Sequence, residues 1–221
     1  MPHLRFFGII LIFIFTTAIP AQDIALPDVA KGEGYTKIIP PQPTQDANKI
    51  EVIDFFWYGC PHCYRFEPLM NEWAKSLPEN VMLIRQPAIF SSNWAPGAYA
   101  FFVADALGIT EQVHAALFNA IQNEHRPLES EDQLADFFAE HGVAKEDFHE
   151  AYKSFGVATR MQQAEGMPAR YGVTGVPAVV INGKYLTNGT LAKDYPGMIS
   201  VMNALIQQES AMLNRAAGSA N

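Results

Sequence analysis

The hydrophobic pattern is clearest in residues 52–77, where a predicted strand runs directly into a predicted helix. Residues 52–58 are apolar except for Asp54, and they are rich in β-branched and aromatic side chains, which favour a strand. In residues 64–77 the large apolar side chains recur at the spacing of one helix face. Pro68 lies inside this helix, and we expect it to kink the helix without ending it, because the apolar spacing continues beyond it.

Beyond this unit the pattern predicts a helical block with strands on either side of it. The further predicted strands lie at 35–39, 81–86, 178–181 and 184–186, and Asn182-Gly183 between the last two is a strong hairpin signal. The block has amphipathic helices at 98–107, 111–123, 131–141 and 145–155, and further helices are predicted from 157 and at 197–213. The predicted core of the block consists of Phe101, Phe102, Phe118, Phe137, Phe138 and Phe148.

Residues 1–21 have the pattern of a secretory signal peptide. Arg5 lies in a short polar start, residues 6–15 are almost continuously apolar, and small residues follow, with cleavage expected after Ala18 or Ala21. A membrane anchor is the alternative, but the apolar stretch is shorter than the ~20 residues that a spanning helix needs. Export implies an oxidising compartment, where a pair of thiols can cycle through a disulfide.

Composition excludes several classes of protein. A hydrophobic content of 49% excludes an intrinsically disordered chain. The formal net charge is −8, from 15 basic and 23 acidic residues, and no basic patch is available to follow a phosphate backbone. We therefore expect no nucleic-acid partner.

The candidate chemistry lies at Cys60 and Cys63, the only two cysteines in the chain. Cys60 is predicted at the end of the strand and Cys63 in the first turn of the helix, where free N–H groups and the helix dipole stabilise a thiolate. A thiolate is the form that attacks disulfides, so a redox dithiol is predicted. Cys60 is predicted to be the exposed nucleophile, because it precedes the helix while Cys63 is inside it.

Two other interpretations of the cysteines remain open. They are either inert core residues or half of a zinc site, and a closed zinc site needs four ligands. The chain has no third cysteine, and the histidines that would have to supply the other ligands form no pair of the kind seen in zinc sites: His114, His125, His141 and His149. These histidines are expected on the surface or in hydrogen bonds, and we expect no metal.

The active stretch resembles that of a known family. It consists of Phe56, then Cys60-Pro61-His62-Cys63-Tyr64, then Phe66-Glu67, and a second match follows at Gly175-Val176-Pro177-Ala178 and Asn182-Gly183-Lys184-Tyr185. Both matches resemble the DsbA family of periplasmic thiol:disulfide oxidases in order and spacing. The resemblance implies an α/β thioredoxin fold with an inserted all-helical domain. The domains expected from it are a thioredoxin-like domain formed by 22–93 and 157–221 and an inserted helical domain at 94–156.

The resemblance also implies roles for individual residues. Pro61 is expected to shape the first helical turn, and His62 to stabilise the Cys60 thiolate, although His62 is alternatively an exposed loop histidine. The bond between Val176 and Pro177 is expected to be cis and to face Cys60, with the Val176 backbone binding an extended substrate. An ordinary trans proline at the start of a strand is the alternative there.

Asp54 is the odd residue of its strand, because a buried acid is costly unless it is paired or protonated. One interpretation is a solvent-facing residue at a strand end. The other comes from the resemblance: a buried acid beneath the active site that exchanges protons with Cys63. Arg85, in the following strand, is then the expected partner of Asp54, because its position matches that of a family lysine.

The predicted activity is the introduction of disulfide bonds into exported proteins, through a Cys60–Cys63 disulfide and without another cofactor. The implied partners are reduced, unfolded proteins in the periplasm and a DsbB-like membrane quinone reductase that reoxidises the dithiol. A disulfide isomerase, a reductase and a non-enzymatic chaperone with an apolar groove are the alternatives. The isomerase class fits poorly, because about forty residues between the signal and Cys60 are too few for a dimerisation domain.

Overall fold

The structure is a computed structural model that describes residues 28–218. The predicted signal peptide, residues 1–21, lies outside the described residues. Within 28–218, no helix combines the length and the apolar character needed to cross a membrane.

A mixed sheet of five strands organises the described part of the chain. The strands are β1 (Thr36–Lys37), β2 (Ile50–Phe56), β3 (Val81–Pro87), β4 (Ala178–Ile181) and β5 (Tyr185–Asn188), in the order β1-β5-β4-β2-β3. β2 pairs in parallel with β3 and antiparallel with β4, and every residue of β2 is buried. Because β2 has neighbours on both sides and lies inside the fold, the residues that follow it are held in a fixed position.

Seven α-helices surround and extend this sheet within residues 28–218. They are α1 (Pro61–Ala74), α2 (Ala95–Ala106), α3 (Thr110–Gln122), α4 (Glu131–Glu140), α5 (Lys145–Tyr152), α6 (Phe155–Arg170) and α7 (Tyr195–Gly218). α1 connects the parallel strands β2 and β3, while α2 to α6 lie between β3 and β4 in the chain. The α/β architecture with helices inserted into a thioredoxin-type sheet agrees with the prediction.

Most predicted elements are present, with shifted ends. β2 ends at Phe56, two residues before the predicted end, because a turn begins at Trp57 and the Cys60 N–H donates to the Trp57 carbonyl at 3.0 Å. α6 begins at Phe155 instead of residue 157, because the Ser154 hydroxyl accepts the Val157 N–H at 3.2 Å and caps the helix there. α1 continues through Pro68 to Ala74, as expected.

The hydrophobic core has three parts, and the cysteines belong to the helical one. One face of the sheet packs against α1 and α7, and the other packs against Tyr171 and Val173 at the end of α6. The third part joins the inserted helices to Phe56, Tyr58, Cys60 and Cys63. The six phenylalanines predicted for that core are each at most 3% exposed, so their burial is confirmed.

Candidate active site

The end of β2 and the start of α1 place Cys60 at the N-terminus of a helix. The chain turns through Trp57 and Gly59, and a side chain at Gly59 would put its Cβ 2.2 Å from the Trp57 ring, so glycine is needed there. Cys60 is the extended N-cap residue of α1, with φ −92° and ψ 114°, and Pro61 is the first helical residue. Proline costs no hydrogen bond at this position, because the first N–H groups of a helix have no partner within it.

The surroundings of the two thiols affect their pKa values in opposite directions. The hydrogen bond between the two cysteine side chains lowers the pKa of Cys60 most, and burial opposes it. The N–H groups of Cys63 and His62 and the charge of His62 lower the pKa further, so that it lies at about 6. The Cys63 N–H lies 3.4 Å from the Cys60 sulfur. Burial raises the pKa of Cys63, and its interactions with Cys60 and with the charge of Asp54 raise it further. At neutral pH the site therefore favours one thiolate, on Cys60.

The expectation that Cys60 is exposed is wrong as stated. Cys60 is 8% exposed and Cys63 2%, and both are free thiols. Cys60 is covered because its sulfur packs into the helical core and lies 3.5 Å from the Val176 carbonyl oxygen, to which it donates. It is nevertheless the more accessible of the two residues.

The Val176–Pro177 peptide bond is cis, as predicted, and the contact between Cys60 and the Val176 carbonyl places it beside the active cysteine. Val176 and Pro177 line a cavity of about 670 Å³ together with His62 and the segment between β5 and α7. The structure thus brings the active stretch and the second matching stretch to one site. It also adds Tyr195, for which the sequence predicts no role.

His62 lies on the surface, and its side chain is turned toward α7. The ring Nδ1 is 3.0 Å from the Tyr195 hydroxyl and 2.9 Å from Nη2 of Arg65. Its influence on Cys60 comes from its backbone N–H and from its charge.

Asp54 is buried beneath the cysteines, so the solvent-facing interpretation is wrong. It is 2% exposed, and its Oδ1 has no hydrogen-bond partner in the structure. Burial raises the pKa of Asp54 to about 7, with a further rise from the charge of Glu67 and an opposing effect from Arg85. Asp54 in turn raises the pKa of Cys63, which fits the predicted buried acid.

Arg85 is not the direct partner that was expected for Asp54. The two residues are neighbours in the β2–β3 register, but among the described residues no ion pair or hydrogen bond joins them. Instead, Arg85 pairs with Glu67 at 3.3 Å and donates to the Asn71 side chain, both on α1, and it reaches Glu111 at 3.6 Å. The oxygens of α1 lie closer to the guanidinium than Asp54 does, so Arg85 acts on Asp54 only through its charge.

A second buried acid and its partners were not predicted from the sequence. Glu67 is 5% exposed, and its Oε1 lies 3.2 Å from Nε2 of the buried His114, whose Nδ1 is 2.6 Å from the Tyr58 hydroxyl. Helical spacing contained a signal for Glu67, since the buried face of α1 includes Cys63, Phe66, Glu67 and Met70. For His114 the same signal exists, because the buried Val113 and Leu117 flank it on α3.

Comparisons with known proteins identify the family of the chain. The model of the DSBA-like thioredoxin domain matches residues 70–195. The thiol:disulfide interchange protein DsbA of Azotobacter vinelandii is 37% identical over 196 residues, which are 89% of this chain and 92% of that protein. The DsbA of Burkholderia cepacia is 40% identical over 180 residues, or 81% of this chain and 85% of that protein.

The fold comparison gives the same result. The crystal structure of Pseudomonas aeruginosa DsbA superimposes with a TM-score of 0.79 at 38% identity, covering 83% of this chain and 95% of that one. The chain belongs to the DsbA family of thiol:disulfide oxidoreductases.

Proposed function

We propose that this oxidoreductase is a dithiol oxidase that passes a Cys60–Cys63 disulfide to reduced, unfolded proteins exported to the periplasm. The observation that carries the proposal is the contrast between a lowered pKa at Cys60 and a raised pKa at Cys63. A stabilised thiolate favours the reduced protein, and a protein whose reduced form is stabilised oxidises other thiols. The two cysteine sulfurs accept both electrons that the substrate loses, so the disulfide itself serves as the redox group.

The reaction consists of two thiol–disulfide exchanges. First, a substrate thiolate attacks the Cys60 sulfur, a bond forms between them, and the bond to Cys63 breaks. The Cys63 sulfur leaves with the electron pair and takes up a proton, for which Asp54 is the candidate donor. A second substrate thiolate then attacks the substrate sulfur of the mixed disulfide, and Cys60 leaves as a thiolate. Counted from its two thiols, the substrate has lost two electrons and two protons. The protein has gained both electrons and one proton, on Cys63, and the other proton is in the solvent.

Neighbouring residues support each step. Pro61 starts the helix whose N–H groups face Cys60, and His62 adds its charge. Arg85 has an indirect role in proton transfer, because it holds Glu67 and its charge lowers the pKa of Asp54.

The cis-proline loop provides a place for the substrate. Val176 lies beside Cys60 and lines the cavity with Pro177, so an extended peptide bound to its backbone has its sulfur near Cys60. Because the peptide binds through hydrogen bonds of its backbone, its sequence can vary widely, as an oxidase that acts on many different proteins requires.

The reduced protein must return its two electrons to another disulfide before it can act again. A DsbB-like membrane protein linked to quinone is the proposed acceptor, on the basis of the family resemblance. The periplasmic location rests on the same resemblance and on the signal-peptide pattern of residues 1–21.

The proposal is tested with the oxidised mature protein and a reduced, unfolded substrate whose native form contains disulfides. We expect stoichiometric oxidation of the substrate by the wild type and none by Cys60→Ala. Cys63→Ala, loaded with a substrate disulfide, should accumulate a mixed disulfide on Cys60 in non-reducing gels. If Cys60→Ala traps substrate equally well, Cys60 is not the nucleophile.

The same assay separates the alternatives. Faster repair of a scrambled substrate than oxidation of a reduced one would indicate an isomerase, and net reduction of a native disulfide would indicate a reductase. Refolding assistance that survives Cys60→Ala would indicate a chaperone. Each of these outcomes would reject the oxidase.

A further inference from the structure

The C-terminal end of α3 holds the segment that carries the two cysteines. Gln122, the last residue of α3, donates its side-chain N–H to the Tyr58 carbonyl at 2.7 Å. Asn123, the next residue, donates to the Tyr64 hydroxyl at 2.6 Å. One of these contacts lies before the two cysteines in the chain and the other lies after them. The inserted helices are thus attached to the active segment on both sides of its reactive part.

The Gln122 contact lies next to the residue of this segment that has the most backbone freedom, Gly59. Glycine has a wider range of φ and ψ than any other residue, and the Trp57 ring leaves no room for a side chain at this position. The peptide group between Tyr58 and Gly59 can therefore rotate unless another contact fixes its carbonyl. The Gln122 amide makes such a contact, so it fixes the backbone that leads into Cys60.

The position of Cys60 depends on such contacts more in the reduced protein than in the oxidised one. In the oxidised protein, the covalent bond to Cys63 holds the Cys60 sulfur at the start of α1. In the structure both cysteines are free thiols, and Cys60 is held by hydrogen bonds alone. Its N–H donates to the Trp57 carbonyl at 3.0 Å. Its sulfur lies 3.4 Å from the Cys63 N–H and 3.5 Å from the Val176 carbonyl oxygen.

Misplacement of the Cys60 sulfur also costs more when the sulfur is charged. Hydrogen bonds to an ionised group are about twice as strong as those between neutral groups, and the helix dipole acts only over the first turn. A thiolate that moves away from the N–H groups of α1 therefore loses more free energy than a disulfide sulfur does. Both arguments give the same sign: a contact that fixes Cys60 stabilises the reduced protein more than the oxidised one.

We propose that Gln122 is a positioning residue of the redox site, whose hydrogen bond to the Tyr58 carbonyl holds Cys60 where the N-terminus of α1 stabilises its thiolate. Because this bond favours the reduced protein, it makes the protein a stronger oxidant. The inserted helices thereby contribute to the redox potential of a site that is built on the thioredoxin-type sheet. This inference rests on the proposed oxidase function and identifies a residue that helps to set its potential.

The test measures the equilibrium with glutathione, in which protein disulfide and two glutathione thiols give protein dithiol and glutathione disulfide. Gln122→Met keeps the length of the side chain and removes its amide. We expect the equilibrium constant of this reaction to fall about threefold, within the roughly two- to tenfold range of one hydrogen bond. Gln122→Asn, whose amide is one methylene too short to reach the carbonyl, should lower it in the same direction.

The matched control is Gln112→Met, in the first turn of the same helix. The Gln112 amide donates to the His141 carbonyl at 3.0 Å, which is the same kind of bond at the other end of α3. This variant should have the equilibrium constant of the wild type. If it shows the same decrease as Gln122→Met, the effect is a general loosening of α3 and the proposal is wrong.

Two further measurements distinguish positioning from a merely structural role. In urea unfolding, Gln122→Met should lose more stability in the reduced form than in the oxidised form. The Cys60 N–H, which bonds to Trp57, should exchange with solvent faster in reduced Gln122→Met than in the reduced wild type, and at the wild-type rate when both are oxidised.

Two other results would overturn the proposal. One is the equilibrium constant of the wild type in both Gln122 variants. The other is an equal loss of stability in the two redox forms, which would mean that the bond supports the fold and not the redox site. None of these measurements uses a protein substrate, so a failure of the oxidase assay would reject the proposed function and leave this test intact.

Discussion

Replacing Asp54 with asparagine tests whether the fold holds a carboxyl group in its uncharged form beneath Cys63. Burial raises the pKa of Asp54 to about 7 from an ordinary value of 3.8. Between these two values the folded protein binds a proton that the unfolded chain does not. The free energy of unfolding of the wild type must therefore fall as the pH rises through this window.

The magnitude follows from about 1.4 kcal/mol per pKa unit. At pH 7 the raised pKa costs the folded wild type about 4 kcal/mol, and at pH 4 it costs about 0.5 kcal/mol. The side-chain amide of the Asp54→Asn variant does not titrate, and the cost of burying it is the same at both pH values. The stability of Asp54→Asn relative to the wild type should thus be greater at pH 7 than at pH 4 by about 3 kcal/mol.

Urea unfolding of the oxidised proteins at several pH values between 4 and 7 measures this difference, because oxidation removes the titration of Cys60. Asp147→Asn, an exposed substitution in the first turn of α5, is the control and should differ from the wild type by only a few tenths of a kcal/mol. Parallel pH curves for the wild type and Asp54→Asn would refute the reasoning, since the buried carboxyl would then have an ordinary pKa.

Two further predictions concern Cys60 and a tight turn. The thiolate absorbance of the reduced protein should rise with a midpoint near pH 6. The free energy of unfolding of the reduced protein, relative to that of the oxidised protein, should increase by roughly 1 kcal/mol between pH 5 and 7, a value that is reduced to allow for screening of the thiolate by solvent. The sign follows because a lowered pKa stabilises the fold above pH 6, and this stability is lost below it; a flat difference would contradict the thiolate assignment. Gly183→Ala should lower the unfolding free energy by about 2 kcal/mol or more, because φ is +64° and the new Cβ would lie 2.1 Å from the Gln42 carbonyl oxygen. Gly166→Ala, in an open position on α6, should instead stabilise the protein by roughly 0.5–1 kcal/mol, and equal effects in urea unfolding would contradict the strain argument.

The features that could be predicted from the sequence depend on residues close together in the chain. Cys60 and Cys63 follow a β-rich run and start a helix, so their place at a helix N-terminus follows from local pattern alone. The Asn182-Gly183 turn has the same local origin, with both residues at positive φ. The phenylalanines of the inserted helices repeat at helical spacing, which is sufficient to predict their burial.

The features that could not be predicted depend on which helices pack together. His62 and Tyr195 are 133 positions apart and meet only because α1 packs against α7. The position of Arg85 in the next strand, which matches that of a family lysine, predicts a pair with Asp54, but the side chains of α1 provide nearer oxygens. The pattern of apolar and polar residues along the chain does not predict these contacts, because each depends on the tertiary packing of two elements.

The buried acids and the helix N-terminus have a joint consequence for the proposed reaction. The mixed disulfide has two ways to break: a second substrate thiolate can complete the oxidation, or Cys63 can attack Cys60 and return the substrate unchanged. Attack by Cys63 requires its thiolate, and burial together with the charge of Asp54 raises the pKa of Cys63. Release of Cys60 requires a stable leaving group, which its lowered pKa provides. The same arrangement therefore slows the return reaction and favours the forward one, so the acid beneath Cys63 contributes to the direction of the exchange as well as to its proton transfer.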